Sequence, residues 1–497
     1  MAIAASARTI LFLDDEDVLY RSGTKRVLVS LQKHAANPLL KGHERLWETA
    51  IAWTSVYRNP TNGHYQLWYQ AFAGDAAHDK TRRCTVCYAE SDDGVHFNRP
   101  NVSLYDFNGI KENNIVLLAN GGRSDRYGVS VVVDENERDA SRRYKMAHFD
   151  FTTDNGKELP GLNIAFSPDG IHWTKYPHGP LSRASYGDYG EAVPFAGETN
   201  ASLAWPLSMA DALDVFWDAP HKVFAIYGKM WIDGPDGGMH WKHAMGRIES
   251  ADFIHWSKPQ LILAPDDLDA ASVEFHTTPV FFYNGYYISP LQILNRAKNG
   301  GVVDIEFAVS RDGMKWQRPF RQSFWLPRGE GNAFDSGSLF VSPQPVVVGD
   351  EMHFYYGGYS QGATGGDDYS LASGIGLATM KRDRFVGIEP VAVSDQPTLK
   401  KSLHNVGQVT LKAVDLSNIA AIELNVDAQG GSIRVELLDE DGKRIRNFTA
   451  ADAESVTGDS FRQQVKWKSG AALPAKKCLI RIHLDKATLY AVTLTQH

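Results

Sequence analysis

A chain of 497 residues with a formal net charge of only -8 can bury a large core, and without a long basic run it carries no electrostatic footprint for nucleic acid. No apolar stretch approaches the roughly 18 residues that a membrane span needs. The opening MAIAASARTILFLDD lacks a basic segment followed by a full apolar one, so no export signal is read. Location stays open between the cytoplasm and a periplasmic or secreted site with the export signal already removed.

In chain order, the first paired strands are read in TSVYRNPTNGHYQLWYQ, and a hairpin follows in CYAESDDGVHFNRP, ending at Pro100. Asp-Gly between strand-like runs is a turn signal, because glycine accepts the positive φ of tight turns. Cys84 and Cys87 form a CxxC in TRRCTVCYAE. Period-2 geometry sends residues three apart to opposite faces of a strand, so buried thiols are expected there, and Cys478 stands alone. No His/Cys cluster has zinc spacing.

The pattern then returns. SVVVDENERDASRRYKMAHFD precedes NIAFSPDGIHWTKYP, LDVFWDAPHKVFAIYGK precedes GRIESADFIHWSKP, TTPVFFYNGYYISPL precedes EFAVSRDGMKWQRP, and PQPVVVGDEMHFYYGG precedes a degenerate copy, GIGLATMKRDRFVGI. Two strands plus a hairpin, recurring at roughly 60 to 85 residues, suit a four-stranded blade with variable loops. Five such units predict an all-β chain with a five-bladed β-propeller over residues 1–392. Phe97, Trp173, Trp256 and Trp316 read as blade-packing aromatics, and His96, His172 and His255 share that architectural role. Beyond the polar stretch VSDQPTLKKS, alternating strands from QVTLKAV to TLYAVTL predict a β-sandwich over residues 400–497.

In a propeller the innermost strands line a central channel, so residues at their mouths converge. Glu48, Asp125, Asp211, Glu274 and Asp335 each stand near the start of the first strand of a unit, with Glu44, Asp304, Glu306 and Glu351 as weaker candidates. Gathering acids at one place is costly unless a function requires it. Paired carboxylates suit glycoside hydrolysis, in which one acid protonates the leaving oxygen and another attacks or activates water. Glu274, in an apolar strand beside Phe275 and His276, is expected as the general acid with a raised pKa. Asp211, Asp335 and Glu48 are expected as nucleophile, base or stabiliser. His276 is expected to meet a hydroxyl, Trp205, Trp231 and His240 to form a stacking wall, and Arg328 to read a carboxylate on an acidic sugar.

The repeats SPDGIHWTKYP and SRDGMKWQRP, with LFLDDEDVL, EFHTTPVFFYNGYYISPL and TGDSFRQQVKWKSG, resemble the five-bladed propeller glycoside hydrolases of families 32, 43 and 68, above all a bacterial family 32-like group. The resemblance covers nearly the whole chain. It implies an exo-acting glycosidase for an oligosaccharide or polysaccharide of plant or algal origin, with an axial pocket and three essential acids. It implies no required cofactor, although some similar propellers hold a calcium or sodium ion at the axis. The Asn-Asp-Pro-Asn, Arg-Asp-Pro and Glu-Cys-Pro motifs of family 32 are absent, so no catalytic residue transfers by motif. A polysaccharide lyase acting on uronic acids and a non-catalytic carbohydrate-binding propeller are the rival readings.

Overall fold

The structure is a computed structural model that describes residues 7–73, 83–119, 129–154, 157–183, 209–238, 241–297, 300–362, 371–391 and 405–497. The fold is all-β: every described element is a strand except one 3-10 turn at Ala140–Arg142. Among the described residues no helix is long and apolar enough to cross a membrane. The chain divides into two compact units, one formed by Leu31–Val348 with Met352–Thr379, the other by Met1–Ser30, Gly349–Glu351 and Met380–His497.

The larger unit is a series of antiparallel sheets, each starting from an inner strand. Ala50–Arg58, Tyr65–Ala73, Arg83–Ser91 and Ile115–Leu118 make the first. The second runs Val129–Val133, Tyr144–Asp154, Lys157–Ser167, with Thr174–Lys175 and Ser182–Arg183 on its outer edge. Met209–Asp218, Val223–Ile232, Lys242–Ser250 and Gln260–Leu263 make the third. Two further four-stranded patterns, led by Val273–Phe275 and by Ser338–Val341, are joined by one parallel bridge, Val303 to Ser338. The outer edge of the last, Ser373–Lys381, is completed by Gln32–Lys33 and Leu40–Lys41, which precede the first sheet in sequence.

Side-chain hydroxyls stitch neighbouring inner strands. Ser55 Oγ accepts from the Val131 amide at 2.9 Å, Ser130 Oγ accepts from the Val215 amide at 2.9 Å, and Thr277 donates to Asp214. Strand Ser338–Val341 lies beside Ala50–Arg58, so the last inner strand returns to the first.

The recurring hairpin is architecture, for a local reason. Asp169 Oδ1 accepts from the amides of Ile171 and His172, both at 2.8 Å, while Ser167 Oγ caps the Gly170 amide and His172 Nδ1 meets Asp169 Oδ2 at 2.7 Å. Ser91, Asp93 and His96 repeat this arrangement, as do Asp252 and His255. Such Asx bonding replaces the ladder partners the backbone loses at a turn. The glycine carbonyl exposed by the turn serves a neighbouring sheet: Trp68 Nε1 donates to Gly170 O at 2.6 Å, Tyr227 to Gly313 O at 2.7 Å, and Tyr355 to Gly94 O at 2.8 Å. Gly170 has φ +83, and a Cβ there would stand 2.5 Å from Trp68 Cζ2. Gly170→Ala is therefore expected to cost about 1–3 kcal/mol by overpacking, more with the backbone strain, read as a lowered urea midpoint.

The domain boundary expected at 392 to 400 is displaced. Ala7–Leu11 pairs with Thr488–Gln496, Val18–Ser22 with Val406–Leu411, and Thr24–Leu28 with Val386–Pro390, so the N-terminal strands belong to a ten-stranded sheet of the second unit. Ile10 and Phe12 are buried in its core with Leu424, Val435 and Ile480. Strand pairing depends on complementary faces, not on sequence proximity, which is why position along the chain misplaces the N-terminus. Cys84, Cys87 and Cys478 are buried free thiols.

Candidate functional site

The third and fourth sheets bring charged side chains together at the ends of their inner strands. Strand Met209–Asp218 slips register against its neighbour between Met209 and Leu213, and this bulge carries Asp211. Bulges re-aim side chains at functional edges. The neighbour must pass close beneath it: a Cβ on Gly228 would lie 2.7 Å from Ala212 O. Asp211 is fully buried and ion-paired with Lys229, itself only 5% exposed. Burial pushes the Asp211 carboxyl up, but the Lys229 ammonium overrides it and holds the group below its ordinary value. Its Oδ2 accepts no hydrogen bond from the described residues.

Glu274 and His243 adjoin this pair. Glu274 Oε2 accepts from the His243 amide at 3.1 Å and meets His243 Nδ1 at 2.6 Å, while Arg296 clasps the other oxygen. Burial alone would raise the Glu274 carboxyl; the hydrogen bonds from His243 and Arg296 bring it down to about 2. The expected general acid is thus an ionised carboxylate, because its charged partners come from strands that sequence proximity does not reveal. Burial and the nearby Lys229 lower His243 to about 4 despite Glu274, so its ring is neutral. His276 is likewise pushed well down, by burial first and then by Lys229.

Aromatic rings close one side. The Trp53 ring stacks 4.2 Å from Phe340 and 6.2 Å from His276, so rings from the first, fourth and fifth sheets meet. Trp53 sits at φ +38 in a strand whose register slips between Ala52 and Thr54. A bulky residue there costs on the order of 1–3 kcal/mol, and such strain is kept where the surroundings fix a side chain for use. Trp231 covers the His243 ring at 3.7 Å, and Trp241, immediately ahead of strand Lys242–Ser250, is 51% exposed.

Of the sequence-predicted residues, Asp211, Glu274, His276 and Trp231 are brought together. Glu48 instead has its own buried network with Tyr69, Asn114 and Arg99, and burial raises its carboxyl against the Arg99 charge. Asp335 is bound by Lys33 at 2.5 Å and by Tyr356 at 2.9 Å. Arg328 donates to Asp304 at 2.6 Å and to Ser336 O at 2.8 Å. Asp125, Trp205 and His240 lie outside the described residues. Among the described residues no three His, Cys, Asp or Glu side chains assemble as a metal site, and with Asp211 matched by Lys229 and Glu274 by Arg296 these acids do not fit an axial calcium or sodium ion.

Four groups escape the sequence reading: Lys229, His243, Arg296 and Asp214. For His243 the sequence signal is its place in WKHAMGRIES, ahead of a recognised repeat. Asp214 occupies the stitching position held by Ser55 and Ser130, but burial, opposed only by the Thr277 hydrogen bond, raises its carboxyl to about 7. A raised folded pKa gives stability that is present below the ordinary carboxylate range and lost as pH rises through about 7. Asp214→Asn keeps an acceptor for Thr277 and is expected to remove that loss. Each tenfold difference in proton affinity between the folded and unfolded chain is worth about 1.4 kcal/mol, so urea titrations from pH 4 to roughly pH 8 read the effect directly.

No family model and no curated protein matches the chain. Among solved structures it is similar to a protein described as a glycoside hydrolase, with 13% identity and a TM-score of 0.47 over 73% of this chain and 92% of the other. It is also similar to an N-acetylgalactosamine deacetylase from F. plautii in complex with blood group B trisaccharide, at 15% identity, TM-score 0.43, and coverages of 73% and 96%. The Bombyx mori GH32 beta-fructofuranosidase is matched at 10% identity and TM-score 0.39, over 96% of this chain and 94% of that one.

Proposed function

We propose that this protein is a glycoside hydrolase: a five-bladed β-propeller joined to a β-sandwich, cleaving a terminal glycosidic bond of an oligosaccharide or polysaccharide at the mouth of its inner strands. The blade reading is supported by the repeated four-stranded pattern, the hairpin carbonyls that serve neighbouring sheets, and the completion of the last sheet by Gln32–Lys33. The observation that carries the function is the buried Asp211–Lys229 pair set against Glu274, His243 and Arg296, with tryptophans on two sides. Because Asp211, His243 and Glu274 are each no more than 5% exposed, a chain end reaches them more readily than a chain interior.

In this reading Asp211 stays ionised and faces the positive charge that spreads over the ring oxygen and anomeric carbon as the bond breaks. Asp214, three residues along the strand, keeps its proton near neutrality and gives it to the leaving oxygen. Environments that push two carboxyls apart in pKa assign the acid and its ionised partner. Trp241 and Trp231 supply apolar faces for the sugar ring. A glycan panel tests the proposal: reducing sugar released without an ultraviolet-absorbing unsaturated product supports it. Unsaturated product, or binding of glycans without turnover, overturns it in favour of a lyase or a lectin.

A further inference from the structure

We infer that His243, positioned by Glu274, is the proton acceptor of this site, its Nε2 taking a proton from the water that attacks the anomeric carbon. The inference rests on the hydrolase reading and names a residue that a purely carboxylate mechanism would not use. Glu274 Oε2 meets both the backbone N–H of His243, at 3.1 Å, and its Nδ1, at 2.6 Å. A carboxylate there requires Nδ1 to carry the proton, which leaves the lone pair on Nε2. Arg296 holds the carboxylate in place, and Trp231 covers the ring face, so the imidazole has one orientation.

His243 is 4% exposed, yet Nε2 has no hydrogen-bond partner among the described residues. A buried acceptor that no described residue meets is costly unless a ligand or water reaches it. The charged and titratable groups that act on the ring are Lys229, Asp211, Glu274, Arg296 and His276; burial first, and then the ammonium of Lys229, keeps it neutral and able to accept. In the step, a water proton passes to Nε2 while the water oxygen bonds to the anomeric carbon. The bond to the leaving oxygen breaks, and that oxygen takes the Asp214 proton. The imidazolium formed is opposed by the Glu274 carboxylate, and solvent returns the proton to Asp214.

His243→Ala is expected to lower kcat by about a hundred- to ten-thousandfold with KM nearly unchanged. Imidazole in the buffer is expected to restore part of it. Glu274→Gln removes the charge that raises the ring pKa, so the acid limb of the kcat profile is expected to move to lower pH, which a structural role would not cause. Activity of His243→Ala within tenfold of the native enzyme, a loss that imidazole fails to restore, or an unmoved acid limb in Glu274→Gln overturns the inference. The nitrogen-15 spectrum of histidine-labelled protein reads the dyad apart from turnover. An Nε2–H ring at pH 7 overturns the inference even when sugar is released. An Nδ1–H ring in a protein that cleaves no glycan overturns the hydrolase reading, and the water-activating role with it.

Discussion

Asp211→Asn is expected to reduce kcat at least a thousandfold on the substrate the glycan panel identifies, equivalent to ~4 kcal/mol of transition-state stabilisation. The reasoning is electrostatic. Asp211 is fully buried, and one oxygen accepts no hydrogen bond from the described residues. Charge placed there in advance interacts with a developing cation through a medium of low polarity, where it is worth far more than in water. The amide keeps the shape and loses the charge, so the fall should appear in kcat more than in KM. Because Asn also strands Lys229, the variant is to be paired with Asp211→Asn/Lys229→Met, which removes both charges. The double variant should remain inactive while regaining stability.

Lys229→Met is expected to be among the most destabilising single changes in the chain, costing about 3–5 kcal/mol in urea denaturation at pH 7. Lys229 and Asp211 are both buried, and removing the ammonium leaves a buried carboxylate without its compensating charge. The asymmetry is the test. A buried pair replaced on both sides by neutral groups is often neutral in stability, whereas breaking it from one side is not. The double variant should therefore be more stable than Lys229→Met alone, and the coupling in that cycle should exceed about 1 kcal/mol. Asp211 is depressed in the folded state, so its contribution is present above the ordinary carboxylate range and is lost as pH falls.

What the amino-acid sequence discloses here follows the range of the forces involved. The hairpins are legible because Ser167, Asp169, Gly170 and His172 bond to one another within six residues. Even there, Phe253 takes the positive φ that glycine holds elsewhere, kept in place by complete burial. The acids at the strand mouths are legible by position, but their partners are not. Asp211 finds Lys229 across a bulge, Glu274 finds Arg296 from the next strand and His243 from another sheet, and Glu48 finds Arg99 from beyond a hairpin. Those pairings reverse the protonation expected for Glu274, since a carboxylate read alone in an apolar strand should be raised and one clasped by a guanidinium is lowered. The N-terminal strands illustrate the same limit, because Ala7–Leu11 pairs with residues more than 480 positions away, at Ala7 to Thr495.

Product analysis of the native enzyme beside the charge-balanced Asp211→Asn/Lys229→Met variant bears most directly on the claim that this buried cluster cleaves sugars. The native protein is expected to release a monosaccharide with a free reducing end from at least one glycan, and the folded double variant to release none. Equal release by both would contradict the account.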